Sequence, residues 1–187
     1  MGWHCRLPAC YNAAMRKLYT VAFPSLSETD LRFIAEIRAR HDRQVSVLGP
    51  HFTLLHGCDR VDEAVYVDHV RAIAASTMAF QFACLETEPD EDEGRGYVYL
   101  VPDLGRMDVV TLHDRLCTGP MAPYSRKDKR FVAHMTIGHA ANLDEAAALC
   151  DELNADGVDI AGSIDALVVG CVDHARFVEL ARIALRH

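Results

Sequence analysis

Residues 51–56 read His-Phe-Thr-Leu-Leu-His, and residues 134–139 read His-Met-Thr-Ile-Gly-His. Each copy sets a histidine and a threonine two positions apart, with apolar residues between and after them. In a β-strand alternate side chains share a face. His51 and Thr53 therefore point one way while Phe52 and Leu54 point the other, and His134 and Thr136 oppose Met135 and Ile137 in the same way. If the two strands line one cleft, two imidazoles and two hydroxyls converge. That set suits a phosphodiester. One neutral histidine takes a proton from water or a ribose hydroxyl, and the other, as imidazolium, gives a proton to the departing oxygen. An unperturbed imidazole titrates near ~6.5, so both states are available near neutral pH. Threonine hydroxyls and nearby backbone N–H groups can donate to the non-bridging phosphate oxygens. This chemistry asks for no metal or other cofactor.

Each phrase also ends in a histidine. His51, His56, His134 and His139 together would offer four ligands to a metal. Strand alternation argues against that reading, because positions i and i+5 face opposite sides. His56 and His139 are therefore expected at the rim, in a structural role. Substrate contacts are expected from Tyr124, Arg126, Lys127, Lys129 and Arg130, in the basic loop that leads into the second phrase. Such a loop can hold phosphate and stack a base, although solvated charge explains it equally well. Tyr97 and Tyr99 alternate with Val98 and Leu100, so both tyrosines are expected on the cleft face or as half-buried strand residues.

The first histidines of the two phrases are 134 − 51 = 83 residues apart. That spacing predicts two similar lobes of one domain related by a pseudo-two-fold axis. Residues 18–24 predict a strand. Ser27 predicts the cap of an amphipathic helix to about Asp42, with Leu31, Ile34, Ile37 and Arg38 on its inner face. Residues 45–48 extend toward the first phrase strand, which Gly57 ends. Helices are expected over 61–76, with Val61, Ala64, Val65, Val67, Val70 and Ile73 as the stripe, over 104–117, with Met107, Val110, Leu112 and Leu116, and over 142–156 behind an Asn142 cap. Residues 79–87 predict a strand joined to 96–102 as a hairpin through a long, solvated acidic loop, 88–96. An acidic metal site there is the sharper but weaker reading. Strands centred on 166–171 and over 176–185 complete the order β-α-β-α-β-β-α-β-α-β-β, an α+β class.

The chain has 187 residues, half of them apolar, enough for one domain with a proper core. A net charge of −8 disfavours wrapping of long nucleic acid and leaves room for a small anionic ligand. Seven scattered cysteines without a CxxC pair point to a reducing cytoplasm, with most thiols as small buried hydrophobes. No run of residues reaches the ~18–20 apolar positions of a membrane span. Residues 1–14 have no clear period and read as a peripheral extension, so 15–187 form the domain.

The pair His51-Phe52-Thr53-Leu54 and His134-Met135-Thr136-Ile137 resembles the two HxTx signatures of the 2H phosphoesterase superfamily, which includes the 2′-5′ RNA ligase-like proteins and cyclic phosphodiesterases of RNA processing. Element order and motif spacing extend the resemblance over residues 16–185. It implies a bilobal α+β fold: two pseudo-symmetric, antiparallel-rich sheets form a central cleft, with helices on the outer faces. It also implies His51 and His134 as the acid/base pair and Thr53 and Thr136 as phosphate contacts. The expected activity is opening of a 2′,3′-cyclic phosphate, or a related small 2′-linked phosphodiester, on a nucleotide or short RNA end. Ligation or cleavage of 2′-5′ linkages and a non-catalytic binding module are the alternatives. A monomer is expected.

Overall fold

A computed structural model describes residues 16–125 and 130–187. The N-terminal extension expected over residues 1–14 lies outside the described residues, as do Arg126, Lys127 and Lys129. The chain runs β1 (Leu18–Ala22), β2 (Ser25–Leu26), α1 (Glu28–His41), β3 (Phe52–Cys58), α2 (Glu63–Ala74), β4 (Phe80–Cys84), β5 (Thr87–Asp92) and β6 (Arg95–Leu100). It continues with α3 (Arg106–Leu116), a 3-10 helix (Gly119–Tyr124), β7 (Met135–Ala140), α4 (Leu143–Ala155), β8 (Ile160–Ile164), β9 (Ala166–Asp173) and β10 (Arg176–Ala184).

Local signals fix the helix starts. Ser27 accepts the Asp30 N–H at 3.1 Å to cap α1. Asp62 accepts the Ala64 N–H at 2.9 Å to cap α2. Asn142 accepts the Glu145 N–H at 2.9 Å, while Glu145 reaches back to the Ala141 N–H at 3.2 Å. The inner faces are narrower than the periodicity predicts. α2 buries Tyr66, Val70 and Ala74 and exposes Val65; α3 buries Val109, Leu112 and Leu116 and exposes Met107; Leu31 of α1 is exposed while Ile34, Ile37 and Arg38 are buried. Tyr66 is fully buried because its hydroxyl bonds Thr20 at 2.8 Å.

Two sheets form an α+β architecture. The larger has the order β10-β9-β1-β3-β7-β6-β5, and the smaller β2-β8-β4; every named pairing is antiparallel. The two lobes of the large sheet meet between β3 and β7 at one registered pair, Phe52 with Met135. These residues are 135 − 52 = 83 apart, the interval of the sequence echo. A pseudo-dyad therefore passes through this pair. It relates β1-α1-β3-α2-β4-β5 to β6-α3-β7-α4-β8-β9. The last strand of each half pairs into the other lobe: β5 with β6, and β9 with β1. Likewise α1 packs on β7 and α3 on β3. Each lobe thus needs the other to complete its core.

Four sequence expectations are corrected. Residues 43–47 form turns rather than an extended approach, with the Gln44 N–H bound to Asp42 at 2.7 Å. Gly57 does not end the first phrase strand, which runs to Cys58. The strand expected over 79–87 is two strands in different sheets, β4 and β5. The acidic stretch is strand β5, not a long loop. Its turn to β6 is only Glu93-Gly94, both left-handed at φ 54° and 74°, between the paired residues Asp92 and Arg95. Strand β8 and the short β2 had no clear periodic signal.

Candidate active site

The two phrase strands lie side by side at the dyad, and both send their polar residues into one cleft of about 490 Å³. His51, Thr53, His134 and Thr136 all line it. Their partners Phe52, Leu54, Met135 and Ile137 are buried on the opposite face against the helices. The alternation predicted for the first four positions of each phrase is therefore present.

The fifth and sixth positions depart from it. One step in β1, Thr20 to Val21, spans two in β3, Leu55 to Thr53, so Leu54 is an extra residue. One step in β6, Val98 to Tyr99, spans two in β7, Gly138 to Thr136, so Ile137 is its counterpart. The two bulges are 137 − 54 = 83 residues apart. A bulge reverses the parity of the side chains that follow it, and in β3 a second shift comes only between Leu55 and Cys58. His56 and His139 consequently line the cleft with the other histidines, which corrects the expectation that they face away. The Leu54 carbonyl, at the bulge, accepts from His113 Nδ1 of α3 at 2.8 Å.

Backbone carbonyls orient both leading histidines. His51 Nδ1 lies 2.9 Å from the Gly49 oxygen, and His134 Nδ1 lies 2.7 Å from the Val132 oxygen. A carbonyl only accepts, so each Nδ1 carries a hydrogen, and both rings line the cleft. Burial, the strongest influence, pushes the His51 imidazole below its ordinary range; the Gly49 carbonyl opposes this without reversing it. The rings differ in their neighbours. His134 stacks on Tyr99 with centroids 3.8 Å apart and planes at 20°, whereas His51 has Phe23 at 6.1 Å and 56°.

His139 is tied to α1. Its Nδ1 is buried 3.2 Å from Asp42 Oδ1, and the other Asp42 oxygen takes the Arg38 guanidinium at 2.6 Å. Burial acts to raise the Asp42 carboxyl, but the neighbouring His139, the Gln44 N–H and Arg38 outweigh it and hold the group at about 2. Tyr97 lies against His139 at 5.0 Å, as Tyr19 lies against His56 at 5.9 Å in the other lobe.

Among the predicted substrate contacts, Tyr97, Tyr99, Tyr124 and Arg130 all line the cleft. Tyr99 is 6 % exposed, and its hydroxyl feels the charge of Asp90. Tyr124 accepts the Arg60 N–H at 2.8 Å. Phe131 stacks flat on His113 at 3.7 Å, anchoring the segment that carries Arg130. Sequence reading missed Asp42, His113 and Asp90. An acid at a helix end and an acid in an apparent loop carry no signal that folding will bring them to this wall. Among the described residues no three or more His, Cys, Asp or Glu side chains are grouped to hold a metal ion. Four arginines and four aspartates line the cleft among the described residues, whose fixed charges balance.

The profile of the 2′-5′ RNA ligase superfamily matches residues 24–173. The chain belongs to this superfamily, the 2H phosphoesterases. Solved structures agree with the fold. Escherichia coli LigT in complex with 3′-AMP aligns with a TM-score of 0.61 at 16% identity over 92% of this chain and 99% of that one. The Thermus thermophilus protein TT0787 gives 0.59 at 15% identity over 91% and 98%. Kluyveromyces marxianus Usb1 gives 0.53 at 9% identity over 89% and 98%. A search of curated protein sequences finds no match. In 2H phosphoesterase terms, the paired HxTx strands of this chain are β3 and β7, meeting at the pseudo-dyad.

Proposed function

We propose that this protein is a metal-independent phosphodiesterase that opens 2′,3′-cyclic phosphates of nucleotides or short RNA ends. The observation that carries the reading is the pair of histidines, each with Nδ1 held by a backbone carbonyl, that line one shared cleft beside two threonines. His51, kept neutral by burial, is the base and takes a proton from water. The water oxygen attacks phosphorus, and the bond from phosphorus to one ribose oxygen breaks. His134, as imidazolium, gives its Nε2 proton to that oxygen, leaving a phosphomonoester and a free hydroxyl. Exchange with solvent returns both histidines to their starting states. Thr53 and Thr136 donate to the non-bridging oxygens as charge builds on them. Tyr97, Tyr124, Arg126 and Arg130 are the proposed contacts to base and phosphate.

The balanced charge of the cleft and the net charge of −8 favour a small substrate over a long RNA. LigT, which shares the fold, forms complexes with 3′-AMP and with ATP. That is a property of LigT, and it supports a nucleotide-sized ligand here. Ligation or cleavage of a 2′-5′ linkage would use the same acid and base.

The test is hydrolysis of the four nucleoside 2′,3′-cyclic phosphates with EDTA present. Wild type should turn them over, and His51→Ala and His134→Ala should each lose at least about 10²-fold in kcat. Equal rates in wild type and variants would refute the mechanism, as would a requirement for metal. Tight binding without product would favour a binding module.

A further inference from the structure

The pseudo-dyad makes the two phrases equivalent, so it supplies no reason for one histidine to be acid and the other base. Their surroundings differ at one matched position. In β1, Val21 pairs with Thr53; in β6, Tyr99 pairs with Thr136. Tyr99 and Val21 are therefore pseudo-equivalent. The tyrosine ring lies 3.8 Å from the His134 ring, nearly parallel, and is almost wholly buried beneath it. The charge of Asp90 on β5 acts on its hydroxyl, so a carboxylate lies near the phenol. A ring so covered has little surface left on which to stack a nucleobase.

We propose that Tyr99 is a positioning residue for His134, and that this stack, absent in the other lobe, assigns the proton-donor role to His134. The inference rests on the proposed acid/base reading. A π-face turned to an imidazole favours its cationic form. Burial, followed by the charge of Asp90, raises the Tyr99 hydroxyl above its ordinary range, so the phenol stays protonated. On the other side, burial favours neutral His51. The pair is thus biased in opposite directions, as acid and base require.

Other titratable groups share the wall. β3 adds His51 and His56, β5 adds Asp90 and Asp92, and β6 adds Arg95 and Tyr97. The helices add Arg38 from α1 and His113 and Asp114 from α3; Asp42 and Arg43 follow α1, Tyr124 ends the 3-10 helix, β7 contributes His139, and the segment before it Arg130. All are the same in a Tyr99 variant, so comparing two such variants isolates the ring.

The experiment follows the histidine Cε1–H resonances by NMR across pH in the substrate-free protein, with His134 assigned by its loss in His134→Ala. Tyr99→Leu removes the π-face and keeps most of the volume, while Tyr99→Phe keeps the face. His134 should titrate above His51 in wild type. Its midpoint should fall by roughly half to one pH unit in Tyr99→Leu and by less in Tyr99→Phe. The alkaline limb of the pH–rate profile should move with it. An unchanged His134 midpoint in a folded Tyr99→Leu protein would overturn the proposal, as would His51 titrating above His134. Because the titration needs no substrate, failure of the cyclic phosphodiesterase reaction would be seen separately from failure of the stack.

Discussion

A histidine whose Nδ1–H is held by a carbonyl has one nitrogen left for chemistry, and both leading histidines are held this way by the residue two before them. Each ring is therefore oriented by the backbone that leads into its strand. Since burial lowers the His51 imidazole, its neutral form persists to lower pH than that of a free histidine. The acid limb of kcat/KM should lie below pH ~6.5, measured from pH 4.5 to 9 with a cyclic nucleotide. A limb at or above that value would contradict His51 as base. The threonines are placed to act on the transition state. Thr53→Val and Thr136→Val keep shape and lose the hydroxyl, so each should lower kcat about 10-fold to 10²-fold and change KM less.

At the scale of elements, the Arg38–Asp42–His139 chain joins helix α1 of one lobe to strand β7 of the other. Asp42 ionises at about 2, below the ordinary 3.8, because its three partners outweigh burial. Its contribution to stability is present above pH ~4 and is lost as pH falls toward 2. Asp42→Ala leaves the buried Arg38 without its carboxylate, a loss of about 3 kcal/mol, read from urea unfolding at pH 7. Less than about 1 kcal/mol would show that the network is not a structural tie. Gly96 provides a packing test. A Cβ there would meet the Asn142 backbone oxygen where α4 begins, whereas a Cβ at Gly49 meets nothing. Gly96→Ala should lower the melting temperature by several degrees, and Gly49→Ala should leave it within about a degree or two.

For the whole molecule, two lobes exchange strands and helices across a dyad marked by one backbone pair. Neither lobe closes its own sheet or core, so unfolding should be a single cooperative transition. The cleft carries as many arginines as aspartates among the described residues, on a protein of net charge −8. A substrate with one or two phosphates should then give a log kcat/KM against log salt slope no steeper than about −2. A steeper slope with longer oligonucleotides would point to an extended RNA track outside the cleft.

Much of this was legible in the residues. The helix caps Ser27 and Asn142, the four-position strand pattern and the interval of 83 are local or periodic features, and such features survive in a bare sequence. They determined the α+β class, the two-lobed plan and the group His51, Thr53, His134 and Thr136. Tertiary structure decided the rest. A bulge is a register shift against a neighbour, so no single strand announces it, and two of them turned His56 and His139 into the cleft. The acidic stretch became a wall because β6 was there to pair with it. Asp42 reached His139 only once the chain had crossed from one lobe to the other, and Tyr99 came to lie beneath His134 only once β6 had paired with β7. Alternation along a strand is written in the sequence; the neighbours of each side chain depend on pairing, and pairing is set by the whole chain.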